Sequence, residues 1–146
     1  MKLADIHEMW ESDSKIDSHN LSEESLKIPR IHSKYLNILS SQKLSRRKTE
    51  SDYLRLRRNK QRYYKGEMSK EELNELNWSQ YLGPKLLKTE IENQIESDDD
   101  VIRLIDRLEY IDTMIFTLES IIKSINSRSF DIRNAIEWQK FQVGIN

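Results

Sequence analysis

Ten basic side chains fall between Lys43 and Lys65 (Lys43, Arg46, Arg47, Lys48, Arg55, Arg57, Arg58, Lys60, Arg62 and Lys65), against two acidic ones, Glu50 and Asp52. The local net charge is +8 in a chain whose total is -1. Positive charge has been gathered into one stretch, and the flanking portions are acidic. On a helix, Arg55, Arg58, Arg62 and Lys65 follow one another at steps of three and four and share a face. Each like-charged pair so placed costs an isolated helix a few tenths of a kcal/mol, which a bound polyanion relieves. Tyr53, Tyr63 and Tyr64 lie among the cations. Aromatic rings beside phosphate-binding heads suit an unpaired nucleic-acid strand, whose bases are free to stack. The competing reading is a helical adaptor whose basic face docks on an acidic protein or pairs with acidic neighbours.

Other chemistries lack their residues. The chain has no cysteine and three glycines, so disulfides, thiolate metal sites and glycine-rich phosphate loops are excluded. His7, His19 and His32 have no metal-binding spacing. Asp98, Asp99 and Asp100 are adjacent carboxylates without the loop that holds a hydrated ion, and they read as a cap for the helix that follows. Neighbouring carboxylates such as Glu23 and Glu24 or Glu71 and Glu72 carry no catalytic specificity. The chain reads as a non-enzyme with no cofactor and no metal.

The elements that must carry the basic stretch are helices. Charged residues make up 34% and hydrophobic ones 36% of 146 residues, a balance that suits long helices completing their cores by association. Two prolines and no β-branched alternation favour an all-α fold. A short amphipathic helix is expected over 2–12, with Leu3, Ile6, Met9 and Trp10 on one side. A long helix follows over about 22–65. Its first half is apolar at Leu21, Leu26, Ile28, Ile31, Tyr35 and Leu39, Pro29 bends its start, and Gly66 caps its end. Ser69 and the glutamates after it open a short helix, and Pro84 opens another. From 101 to 125, Val101, Leu104, Leu108, Ile111, Ile115, Leu118, Ile122 and Ile125 fall at alternating steps of three and four, a coiled-coil-like seam. A further amphipathic segment carries Phe130, Ile132, Ile136, Trp138, Phe141 and Val143. Two apolar faces on so short a helix suggest a carboxy-terminal oligomerisation core built on Leu108, Ile111, Ile115, Leu118, Ile122, Ile125, Phe130 and Trp138. No apolar run approaches the ~20 residues that span a bilayer and the amino terminus is not a signal peptide, so a soluble intracellular protein is expected.

Several stretches, in order along nearly the whole chain, resemble the UvsY recombination mediator family of tailed phages. Leu3 and Asp5 with Ile16-Asp17-Ser18 match an amino-terminal motif, and Ser33-Lys34-Tyr35-Leu36-Asn37 a second. Arg58, Lys60, Tyr63, Tyr64 and Gly66 match a basic-tyrosine-glycine motif. Asn126-Ser127-Arg128-Ser129-Phe130-Asp131-Ile132-Arg133 is similar to the carboxy-terminal signature, followed by Phe141 and Gly144, although the family's glycine before the phenylalanine is Ser129 here. Residues 67–97 match nothing in the pattern.

The resemblance implies an all-helical protomer in a ring-like homo-oligomer in the host cytoplasm. It also implies a role in phage recombination, repair and recombination-dependent replication. The partners it implies are single-stranded DNA, a coating single-strand-binding protein and a UvsX-type recombinase. On this reading Arg58 and Lys60 hold the strand, with Arg55, Arg57, Arg62, Tyr63 and Tyr64 assisting. The chain then divides into a DNA-binding region (1–66), a variable helical connection (67–97) and a region of oligomerisation helices (98–146).

Overall fold

The structure is a computed structural model that describes residues 1–144; the last two residues of the carboxy-terminal region, Ile145 and Asn146, lie outside the described residues. Among the described residues five helices form: α1 (Leu3–Asp13), α2 (Leu21–Tyr64), α3 (Lys70–Leu76), α4 (Lys88–Glu96) and α5 (Asp99–Gln142). No strand is present among the described residues. The fold is all-α, with α2 and α5 each 44 residues long.

The helix ends follow from local chemistry. Gly66 adopts φ 71, and its N–H donates to the Tyr63 carbonyl at 3.1 Å while that of Glu67 donates to Arg62 at 3.0 Å. This left-handed cap closes α2 and satisfies its last carbonyls. Ser69 and Glu72 exchange hydrogen bonds, Glu72 N to Ser69 Oγ at 3.2 Å and Ser69 N to Glu72 Oε2 at 3.0 Å, a capping box that starts α3. Asp98 Oδ1 accepts from the N–H groups of Asp100 (2.9 Å) and Val101 (3.4 Å), so the aspartate triplet does cap the helix after it.

Pro29 lies inside α2, which runs on through it, with Ile28 and Ile31 on either side packed against the core. Two expectations are corrected. Pro84 does not open a helix. Its carbonyl accepts the Tyr81 hydroxyl at 2.9 Å, and α4 begins only at Lys88. The last two apolar segments form one helix, α5: the Ser127 hydroxyl bonds back to carbonyls of its own helix at Lys123 and Ser124, and the helix runs on.

By contacts the chain divides into one unit of Met1–Leu44 with Asp112–Asn146 and another of Ser45–Ile111. This division follows helix pairing, and differs from the consecutive regions 1–66, 67–97 and 98–146. In the first unit Ile6, Tyr35, Leu39, Met114, Leu118, Ile121 and Ile125 form the core, and Trp10 meets Tyr35 edge to face at 5.6 Å. Tyr35 donates its hydroxyl to Asp13 at 2.8 Å, and burial together with that bond pushes its pKa up. Burial also pushes Asp13 up, but hydrogen bonds from Lys34 and Tyr35 outweigh it and hold the carboxyl below its ordinary value. In the second unit Ile91, Ile95 and Val101 form the core, with Tyr53, Leu56, Tyr64, Leu86 and Ile105 packed around it.

The buried stripe of α5 is not the expected seam. It runs Ile111, Met114, Leu118, Ile121, Ile125, Arg128 and Ile132, again at steps of three and four, with an arginine in a core position. Leu118 and Ile125 are wholly buried against this chain's own α1 and α2, and Ile111 is buried as well. Ile115 and Ile122 pack at the edge of the same core, and Leu108 is half-buried. Of the residues expected to gather copies, Phe130 and Trp138 are the ones left exposed.

Candidate nucleic-acid interface

The basic half of α2 belongs to the second unit, where α3, the loop after it, α4 and the start of α5 complete its surroundings. This packing divides the cations into two groups. Arg55 projects outward with its side chain 71% exposed, and its only ion pair among the described residues is with Asp52, on the same helix at 3.7 Å. Arg58 is exposed and has no ion pair or side-chain hydrogen bond among the described residues. Arg57 is half-buried and donates from Nη1 to the Tyr53 hydroxyl at 3.3 Å. Arg47 and Lys48, two and a half turns earlier, are also exposed.

Lys60 faces the other way, and Arg62, on the same face as Arg58, is paired. Lys60 is 6% exposed, and its Nζ lies 3.0 Å from Asp98 Oδ2 and 3.2 Å from Asp100 Oδ2. The same ammonium sits 4.3 Å from the centroid of the Trp78 ring, a cation–π contact that replaces part of its lost hydration. Arg62 Nη2 lies 3.0 Å from both carboxylate oxygens of Glu72. The face expected from the spacing of Arg55, Arg58, Arg62 and Lys65 is thus interrupted at Arg62. Lys60, expected at the surface, is instead caged by carboxylates. A folded chain cannot leave an ammonium buried without a counter-charge, and Asp98 supplies it.

The tyrosines hold the surrounding loop. Tyr63 donates its hydroxyl to the Ser79 carbonyl at 2.7 Å, and Tyr64 donates to Asp98 at 2.8 Å. Burial, then the bond to Asp98, pushes the Tyr64 pKa up to about 12. Asp98 is raised by its own burial, yet hydrogen bonds from Lys60 and Tyr64 prevail and hold it below the ordinary 3.8. Glu72 is lowered by the Ser69 N–H and then by Arg62. Tyr63, Tyr64, Trp78 and Tyr81 meet edge to face at centroid separations of 5.1 to 5.8 Å. Trp78 and Tyr81, which read in sequence only as a helix-breaking stretch, therefore belong to the site. A tyrosine and a tryptophan beside Pro84 were the available signal. Among the described residues no group of His, Asp and Glu side chains is gathered for a metal, and no helix is long and apolar enough to cross a membrane.

The arrangement sets the exposed guanidinium groups of Arg55 and Arg58 on a helix that is anchored from behind by the buried Lys60–Asp98 ion pair. Its chemistry is the electrostatic holding of a polyanion. No curated protein matches the chain. Among solved structures it is similar to the crystal structures of the bacteriophage T4 recombination mediator protein UvsY. In lattice type II the identity is 25%, the TM-score 0.83, and 98% of each chain is covered. In lattice type I the values are 25% and 0.81, over 94% of this chain and 98% of that one. In lattice type IV they are 23% and 0.80, over 97% and 99%. The family model described as "Recombination, repair and ssDNA binding protein UvsY" matches residues 9–145. With that match over almost its whole length, the chain belongs to the UvsY family.

Proposed function

We propose that this chain is a non-enzymatic recombination mediator. On this reading it binds single-stranded DNA and promotes loading of a UvsX-type recombinase onto strands coated by single-strand-binding protein. The observation that carries the proposal is the pair of exposed guanidinium groups on α2, Arg58 without an ion pair among the described residues and Arg55 paired only within its own helix, in an otherwise acidic chain. Arg55, Arg57 and Arg58 take the phosphates. Lys60, Arg62, Tyr63 and Tyr64, also expected at the strand, serve by holding α2 against its loop. Backbone binding of this kind is salt-sensitive, which suits a protein that must release the strand once the recombinase is seated.

Arg55→Ala combined with Arg58→Ala is expected to lower the dependence of log K on log salt by ~1.4, at about 0.7 per lost single-strand phosphate contact, with the thermal midpoint unchanged. Salt titrations on oligothymidine measure this. A slope equal to that of the wild type removes these arginines from the strand. Binding to an acidic partner protein but to no strand at low salt would instead support an adaptor.

A grip of this size on one protomer is weak, and repetition in a ring-like homo-oligomer multiplies it through effective concentration. The exposed aromatic face of α5, with Trp138 and Phe141 stacked at 5.6 Å, is the surface we assign to assembly. Trp138→Asp with Phe141→Asp is expected to convert a high-mass species into monomer in light scattering while helix content stays constant. A wild type that already runs as a monomer refutes the ring.

A further inference from the structure

Beyond the arginine row, the second unit contains a cavity of about 730 Å³ between the end of α2 and the segment leading into α4. That volume lies in the ~300–1,000 Å³ range of small-molecule sites. One wall is aromatic, from Tyr64 and Tyr81, and Leu86 and Ile91 add apolar lining. The cations are Lys65, Lys85 and Lys88, all exposed, and none has an ion-pair partner among the described residues. The one carboxylate lining the cavity is Glu67, so the site carries a net positive charge. Aromatic wall, apolar lining and unpaired ammonium groups together suit a ligand with a planar apolar part and an anionic part.

We propose that this cavity seats one nucleotide of the bound strand, with its base against the tyrosine wall and flanking phosphates on Lys65, Lys85 and Lys88. The proposal rests on the single-strand-binding reading and extends it into residues 67–97. Continuity supports a strand over an acidic peptide. Lys65 follows Arg58 by two helical turns on one face, about 10 Å along α2, so a strand crossing the arginine row is delivered to the cavity. Base–aromatic stacking is indifferent to sequence, as a mediator acting on any strand requires.

Gly83 makes the wall possible. A Cβ there would lie 2.5 Å from the Tyr81 hydroxyl oxygen and 2.6 to 2.7 Å from its ring carbons. The φ of Gly83 is outside the left-handed region, so alanine fits the backbone and displaces the ring instead. Gly83→Ala therefore perturbs the aromatic wall without removing a charge.

The test uses the full-length protein, fluorescent oligothymidine and an abasic oligonucleotide of equal length, with Arg58→Ala as reference and circular dichroism to check the fold. Lys85→Ala with Lys88→Ala is expected to lower the salt slope by ~1.4. Gly83→Ala is expected to keep the wild-type slope and weaken oligothymidine binding about tenfold, the scale of one lost stack. On the abasic strand Gly83→Ala should bind as the wild type does. An unchanged slope in the lysine variant, or equal losses on both strands for Gly83→Ala, overturns the nucleotide pocket. If Arg58→Ala still lowers the slope in that case, the mediator reading stands without it; if the wild type binds neither strand, both fall. Loss of an acidic protein partner with strand binding intact would assign the cavity to that partner and overturn the proposal.

Discussion

Lys60→Ala is expected to destabilise the protein by about 3 kcal/mol, at the lower end of what removing one partner of a buried ion pair costs. The ammonium and the Asp98 carboxylate are each 8% exposed at the side chain and 3.0 Å apart, so truncation strands Asp98 in the interior. Arg58→Ala, at an exposed and unpaired position, should stay within ~0.5 kcal/mol of the wild type. Urea denaturation separates the two. A wild-type midpoint for Lys60→Ala would refute the anchoring role. Replacing both partners, Lys60→Met with Asp98→Asn, should recover much of the loss because no buried charge is then left alone.

The pair also fixes a pH dependence. Asp98 has its folded-state pKa depressed, so its contribution is complete above the ordinary value of 3.8 and is lost as pH falls through the lower folded value. The wild type should weaken in that acid window, and Lys60→Ala should show a shallower loss there. Weak strand binding by Lys60→Ala would then reflect a loosened α2 rather than a missing phosphate contact.

Arg128→Met is the second large effect, again about 3 kcal/mol. The guanidinium is 4% exposed and donates from Nη1 to the Asp13 carbonyl at 2.8 Å and from Nη2 to the Lys15 carbonyl at 2.9 Å. It also lies 3.8 Å from Glu24, whose side chain is 8% exposed. Methionine keeps the apolar stem and leaves two carbonyls without their donor, while Glu24 loses one of its two cations and keeps Lys27 at 3.1 Å. Its Nε has no partner among the described residues, which trims the stabilisation the wild-type arginine provides. The connection between α1 and α2 should become open to protease, and limited digestion with mass mapping over 14–20 checks this. Cleavage no faster than in the wild type would show that α1 docks without the arginine.

The helices were legible because their signals are local. Ser69 with Glu72, Gly66 after Tyr64, and Asp98 before Val101 each cap a helix through bonds spanning five residues or fewer. What stayed hidden was pairing across the chain. Lys60 and Asp98 are far apart in sequence, so a surface arginine and a caged lysine look alike in a basic run. The seam on α5 misled for a related reason. Counting aliphatic residues alone picks a stripe through Ile115 and Ile122, whereas the buried stripe passes through Met114, Ile121 and Arg128. An α-helix drifts ~20° per heptad against a strict seven-residue repeat, so a seam that begins at Val101 need not be the face that is buried two turns later. The Arg128 signature was visible as a motif, but only the carbonyls of Asp13 and Lys15 explain it.

The three indoles sit in three different places. Trp10 flanks the core beside Tyr35, Trp78 lies over the caged ammonium, and Trp138 is 59% exposed on the terminal aromatic face. Each emits from its own polarity, so the protein carries three built-in optical reporters. Single-tryptophan versions can follow amino-terminal docking, opening of the lysine cage and burial of the tail in separate channels, with no dye attached.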